Sequence, residues 1–286
     1  MSLLSPSGSS SPSSPSSPSS PSSPSSPSSP SIHVFLPGFG APYLEHKLQI
    51  LRNNMTIIER YPWSKIQYTI CCYDDSDLSS IQTYTQYNVS IIRDRLIVGQ
   101  FLHKYLVPNT GSTEFTYLLS ILDDIELQDN IDWNFMIHYI TMFDLDILSP
   151  SMTLDSKYQF KYMLHNPHHS SEALCITTVL EYFCYFMRPT SYQKYYHHIN
   201  GERNPWMWGL DMLLYRHIHL KLGIINHMTM KHWYKNESYK YRPDANPGDG
   251  YNYIIERYNE TSDSLANQCA ILYIILHVGI SQLLNE

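Results

Sequence analysis

Apolar residues along this chain recur with two alternating periods, and the alternation predicts the fold. "IHVFLPGFGAP" (32–42) is a short apolar run closed by glycine and proline, which predicts a strand and then a loop. "YLEHKLQILRNNMTIIERYPW" (43–63) sets Leu44, Leu48, Leu51 and Met55 on one face at helical spacing. "KIQYTICCYDDSD" (65–77) predicts a buried strand ending in acids, "VSIIRD" (89–94) a further short strand, and "RLIVGQFLHKYL" a helix after it. "EFTYLLSILDD" (114–124) is an apolar run of strand length that stops abruptly at two aspartates. In the second half, 132–145 predicts a helix, "LSPSMT" a strand, 173–189 a strand or strand pair, and "SYQKYYHHI" a helix. The stretch 205–222 then predicts a helix opening on Pro205, and 223–233 a strand ending in His232. The apolar run from Ala270 to Ile280 predicts a buried C-terminal helix.

Strands alternating with helices predict an α/β fold: one domain around a mainly parallel sheet. In such sheets the ligand lies beyond the carboxyl ends of the strands. That places Pro37–Gly40, Asp74–Asp77, Arg93–Arg95 and Asp123–Glu126 at the expected site edge.

Composition separates the first part of the chain from the rest. Residues 5–31 are serine, proline and glycine alone. Such side chains bury nothing that offsets the entropy of ordering, so 1–31 reads as a disordered tail before a domain at 32–286. The start lacks the basic and apolar regions of a secretory signal, and no apolar run of about 18 residues exists to span a membrane. Five cysteines, an odd number with two adjacent and no CxxC, fit a reducing compartment, so the expected location is cytoplasmic. Without a secretory signal, the sequons at Asn54, Asn88, Asn236 and Asn259 read as chance matches. A net charge of −7 with scattered basic residues argues against a nucleic-acid partner. The 24 tyrosines and five tryptophans suit stacking on sugars, although core packing is the plainer reading for most of them.

Three places carry candidate chemistry. Asp123 and Asp124 offer carboxylates suited to a hard divalent ion; the plainer alternative is a turn cap, since aspartate favours turns. Asp211, after a Pro–Trp–Met–Trp–Gly loop, reads as a general base in an aromatic pocket or as a first-turn acid complementing a helix dipole. His232, at a strand end, reads as a metal ligand or a surface histidine. None of the other histidines has HExxH or zinc-finger spacing, and GxGxxG, P-loop and GxSxG motifs are absent.

In order, "YDDSD", "FLHKYLVP", "LDDIEL", "SPSM", "WGLDMLLY" and "GIINHMTMKH" resemble a plant-rich family similar to nucleotide-sugar glycosyltransferases of the GT-A type, over residues 65 to 234. A second resemblance is to β-xylosyltransferases of large algal DNA viruses, which build capsid glycans in the host cytoplasm. The resemblance implies a GT-A-like fold and an inverting, metal-dependent transfer from a nucleotide sugar, UDP-xylose first, to a glycan hydroxyl, as in N-glycan synthesis. It implies Mn²⁺ or Mg²⁺ on Asp124, Asp123 and His232, with Asp211 as the base. Asp74, Asp123, Arg93 and Lys235 would meet the nucleotide, and Trp206, Trp208 and Glu181 the acceptor. The chain departs from the family pattern at Leu122, where an acid is expected, which leaves Glu126 as a possible substitute. Two other readings share these features: a sugar-binding or structural protein on a degenerate GT-A fold, and a nucleotide-sugar hydrolase.

Overall fold

The computed structural model describes residues 29–108, 114–158, 160–168, 174–234, 246–266 and 271–275. Lys235, Cys269 and residues 1–28 of the Ser/Pro tract lie outside them. Ser31, assigned to the tail from composition, is the first residue of strand β1 (Ser31–Phe39), and its backbone N–H donates to Thr116 Oγ1 at 3.1 Å.

Strand β1 leads into helix α1 (Leu44–Glu59) as the apolar spacing requires. Leu48, Leu51, Met55 and Ile58 are all buried on its inner face, each contributing about 1.5–3 kcal/mol by leaving water. Strands β2 (Lys65–Cys72) and β3 (Asn88–Arg93) extend the sheet on one side of β1, and β4 (Tyr117–Ile121) pairs on the other. A short helix, α2 (Ser79–Gln82), precedes β3, and α3 (Val98–Tyr105) follows it. After β4 come a three-residue strand β5 (Ile125–Leu127), helix α4 (Trp133–Met142) and strand β6 (Ile147–Met152). Helix α4 starts on Asp132, whose carboxylate accepts from Asn134 N–H at 2.8 Å, an N-cap of the usual kind.

The 173–189 stretch forms two strands, β7 (Leu174–Thr177) and β8 (Cys184–Met187), that do not pair with each other. Strand β8 inserts between β4 and β6, while β7 pairs β9 (Leu222–His232). Helix α5 (Pro189–Tyr196) follows β8, with Pro189 at its first turn. Helices α6 (Pro247–Tyr258) and α7 (Ser262–Ala266) precede the last strand, β10 (Ile271–Ile275).

The sheet runs β10-β7-β9-β6-β8-β4-β1-β2-β3, with β5 added on β9. The pairings give β1, β2, β3, β4, β6, β9 and β10 one direction, and β5, β7 and β8 the other. The fold is therefore the expected α/β domain on a mainly parallel central sheet, with antiparallel insertions. The carboxyl ends of β1, β2, β3, β4, β6 and β9 share one edge.

Two expected helices are not formed. Residues 205–222 make a series of turns with a single 3-10 turn at Asp211–Leu213. Met207 (φ 61°), Gly209 (φ 78°) and His219 (φ 58°) adopt left-handed backbone, which no α-helix passes through. Leu210, Leu213, Leu214 and Leu220 are nonetheless buried, so the apolar spacing reports burial and not helix. Of the expected C-terminal helix, residues 271–275 are described and form strand β10, antiparallel to β7 with Ile274 opposite Cys175. Its β-branched isoleucines suit a strand.

Candidate active site

The acid pair closes β4 and is followed at once by β5, and that order builds the site. Strand β5 pairs the end of β9 with Ile125 opposite His232. Trp233 N–H donates to the Asp124 carbonyl at 3.1 Å. Backbone register therefore brings residues 124 and 232 together across 108 positions of sequence, and Asp124 Oδ2 lies 3.1 Å from His232 Nε2. The ring is held from its other side, where Nδ1–H donates to the Lys157 carbonyl at 2.6 Å. That bond fixes the tautomer and leaves Nε2 facing the carboxylate, the arrangement that orients metal-binding histidines.

Asn54 of α1 locks the strand that makes this register. Its amide donates to the Ile125 carbonyl at 2.7 Å and accepts from Leu127 N–H at 2.8 Å, acting as a missing neighbour strand. Asn54 is buried, which removes it as a glycosylation acceptor in the folded chain.

Asp123 turns the other way, to a residue that sequence reasoning did not single out. Lys47, in the first turn of α1 and buried, holds its ammonium 2.7 Å from Asp123 Oδ2 and donates to the Gly40 carbonyl at 2.8 Å. The lysine–aspartate contact is a close ion pair without the alignment of a straight hydrogen bond. The signal available in the sequence was weak: a lysine on the apolar side of a helix that follows a glycine loop.

Electrostatics separates the two acids. Burial pushes Asp123 up to about 6, against the pull of Lys47, with the Asp124 charge adding to the rise. Burial works against the Asp124 charge too, but His232 outweighs it and holds that carboxyl below its usual range. His232 is raised reciprocally: burial opposes its charge, and Asp124 overcomes it. Asp124 Oδ1 is buried and accepts no hydrogen bond among the described residues.

The nucleotide-side candidates are placed at the neighbouring strand ends. Asp74 accepts from Ala41 N–H at 2.8 Å and from Ser76 N–H at 2.9 Å, which holds its carboxyl below the usual range although burial opposes this. One oxygen thus fixes the loop after β1 and the other the loop after β2. Gly40 is required there, because a Cβ would come within 2.6 Å of Asp74 Oδ2. Arg93, at the end of β3, donates to the Asp74 carbonyl at 3.2 Å. Tyr73 bonds the Ala41 carbonyl and feels the charges of Asp123, Asp74 and Asp124, so these strand ends form one continuous edge.

Asp211 lies in a separate tyrosine pocket at the same end of β4. It acts electrostatically on Tyr185 and Tyr195, and Tyr185 is opposite Ser120 in the sheet. Burial pushes the Asp211 carboxyl up to about 7, against a hydrogen bond from Met212 N–H at 3.0 Å. It starts a 3-10 turn, so the helix-dipole alternative has no α-helix to act on. Trp206 and Trp208 flank the left-handed turn before it, with Trp208 exposed. Glu181, expected on the acceptor side, is buried; it accepts from Phe160 N–H at 2.5 Å, and its charge helps raise His232.

Glu126 does not replace the acid absent at Leu122. Its two oxygens accept from Trp233 Nε1 at 2.7 Å and Asn53 Nδ2 at 2.8 Å. It is a brace between α1 and the end of β9.

The residues fit a divalent cation in part. Asp124 and His232 are two converging donors, one with an unengaged buried oxygen, while Asp123 is committed to Lys47. Among the described residues no three His, Cys, Asp or Glu side chains converge into a closed cage. Two protein donors suit an ion such as Mg²⁺ that fills its shell with substrate phosphate and water.

Fold and site together define an α/β domain with an acid–imidazole pair at the carboxyl edge of its sheet. No family model matches the chain, and no curated protein sequence matches it. Among solved structures, the chain is similar to HddC from Yersinia pseudotuberculosis at 10% identity, covering 70% of this chain and 92% of that one (TM-score 0.43). It is similar to A197 from STIV at 10% identity over 71% and 86% of the two chains (TM-score 0.41). S. aureus TarS 1–349 in complex with UDP matches at 9% identity over 70% of this chain and 59% of that one (TM-score 0.47). Likenesses this distant carry no conclusion about activity. No helix among the described residues is long and apolar enough to cross a membrane.

Proposed function

We propose that this chain is a metal-dependent, inverting glycosyltransferase that moves a sugar from a nucleotide-sugar donor to a hydroxyl of a glycan acceptor. The observation that carries the reading is the meeting of Asp124 and His232, 3.1 Å apart at the shared carboxyl ends of β4 and β9. This is the edge at which α/β sheets bind nucleotides. A divalent cation held by Asp124 and His232 would offset the charge of a leaving diphosphate. Lys47 fixes a positive charge beside Asp123 and ties it to the Gly40 loop. Asp211 takes the proton of the acceptor hydroxyl. That oxygen forms the new bond to the anomeric carbon, and the anomeric bond to phosphate breaks with its electron pair leaving on the nucleoside diphosphate. A carboxyl pushed up to about 7 is matched to that proton transfer near neutral pH. UDP-xylose is the first donor to try, then other UDP-sugars, with an N-glycan as acceptor.

The test is turnover of UDP-sugars with Mn²⁺, with and without acceptor, in the full chain and in Asp124→Ala. Acceptor-dependent transfer that Asp124→Ala and chelation both abolish supports the proposal. Undiminished turnover under chelation removes the metal role. Donor cleavage indifferent to acceptor makes the protein a nucleotide-sugar hydrolase.

A further inference from the structure

A second recess opens on the other side of the segment that holds His232. After β6 the chain runs past Lys157, whose carbonyl accepts His232 Nδ1–H, and residues 161–167 then form one wall of a cleft of about 470 Å³. Ser151, Lys161, His165, Asn166 and Asn226 supply its polar surface, and Tyr162 with aliphatic side chains the rest.

The cleft is built, not incidental. Strand β9 departs from its register with β6 between Pro150/Ile225 and Ser151/Thr229, so residues 226–228 bulge. Asn226, 3% exposed, uses the bulge to clamp the wall: its Oδ1 accepts from Asn166 N–H at 2.8 Å and its Nδ2 donates to the Asn166 carbonyl at 3.0 Å. The Asn226 carbonyl accepts from Ser151 Oγ at 2.9 Å and from His165 Nδ1 at 2.7 Å. The imidazole is thereby held by Nδ1, with Nε2 as its remaining polar atom.

Charge selects the ligand. Among the described residues no carboxylate lines the cleft, in a chain of net charge −7. Lys47, Lys65, Lys104, Lys194, Lys221 and Lys231 each pair with an acid. Lys157 and Lys161 are exposed and, among the described residues, have no carboxylate partner. Both lie on this one segment. A recess roomy enough for a sugar ring, with an aromatic ring, an imidazole nitrogen, an ammonium and, among the described residues, no acid, suits a sugar carrying an anion.

We propose that this cleft binds an acidic sugar, with Lys161 meeting its carboxylate or phosphate and His165 Nε2 a ring hydroxyl. Tyr162 of its wall and Asp211 both act on Tyr185, which makes the cleft the acceptor side of the proposed transfer; that role rests on the transferase reading, whereas the anion binding does not. The test is ligand-observed NMR titration of the full chain with glucuronate, glucose 6-phosphate and glucose, for wild type, Lys161→Gln and Lys161→Arg, with UDP–Mn²⁺ titrated in the same samples. Binding of one or both acidic sugars is expected, weakened roughly tenfold by Lys161→Gln and kept by Lys161→Arg, with glucose at least as weak as that variant. UDP–Mn²⁺ affinity should not change in either variant. Glucose binding as well as the acids, or acidic-sugar affinity unmoved by Lys161→Gln, overturns the proposal. UDP binding with no acidic-sugar binding sinks the cleft alone, and the reverse pattern sinks the transferase reading alone.

Discussion

Three acidic side chains near one sheet edge do three different things, and each difference is measurable. Asp124 has an unengaged buried oxygen and an imidazole partner, so Asp124→Ala should lower transfer on the order of 100-fold or more with the fold intact by circular dichroism. Asp123 is bound to Lys47 in a pair whose side chains are 12% and 7% exposed. Lys47→Met leaves that acid buried and uncompensated and should cost about 3–5 kcal/mol in urea unfolding, with Lys47→Met/Asp123→Asn recovering part of it. Asp211 has no cationic partner among the described residues, and its carboxyl is pushed up to about 7. A raised carboxyl pKa means the folded chain holds a proton that the unfolded chain has released, so its contribution is full below about pH 4 and is lost as pH rises to about 7. Asp211→Asn should therefore stabilise the fold more at pH 8 than at pH 4, by up to about 4 kcal/mol, read as a larger gain in Tm at pH 8. The same substitution removes the base, so kcat should fall at all pH values, while wild-type kcat rises through pH 7.

At the scale of elements, the strand–helix alternation was legible because burial imposes its period on residues 32–152 directly. Where it failed, burial and backbone came apart. Residues 205–222 keep a helix-like apolar spacing while left-handed residues at 207, 209 and 219 forbid the helix, and only Gly209 advertises that freedom. The site was partly legible: Asp124 and His232 stand at strand ends, and strand ends of a parallel sheet converge. Lys47 and Glu126 were not: the role of Lys47 depends on how α1 packs over the end of β4, and that of Glu126 on the register of β5 against β9, which three residues of strand do not announce. Glu126 reads from sequence as a spare acid, whereas its oxygens brace Trp233 and Asn53. Glu126→Ala should cost about 1–3 kcal/mol of stability and leave the Mn²⁺ dependence of turnover unchanged, as chemical denaturation and a metal titration would show.

For the whole molecule, one sheet carries everything described. Its carboxyl edge gathers the loop after β1, Asp74, Arg93, the acid pair and His232, and the antiparallel insertion of β8 places the Tyr185 pocket of Asp211 at the same end. Residues 5–28 are serine, proline and glycine alone and offer little apolar surface to bury, so a chain starting at residue 29 should keep the Tm and turnover of the full chain; a lower Tm would show that the removed residues pack on the domain.

The most direct measurement is calorimetric titration of UDP into the full chain and into Asp124→Ala, each with Mn²⁺ and with a chelator. UDP should bind the wild type with Mn²⁺, lose most of that affinity under chelation, and bind folded Asp124→Ala only as weakly as the chelated wild type. UDP binding of equal strength in all four titrations would contradict the assignment of Asp124 and His232 as the cation-holding pair of a nucleotide site.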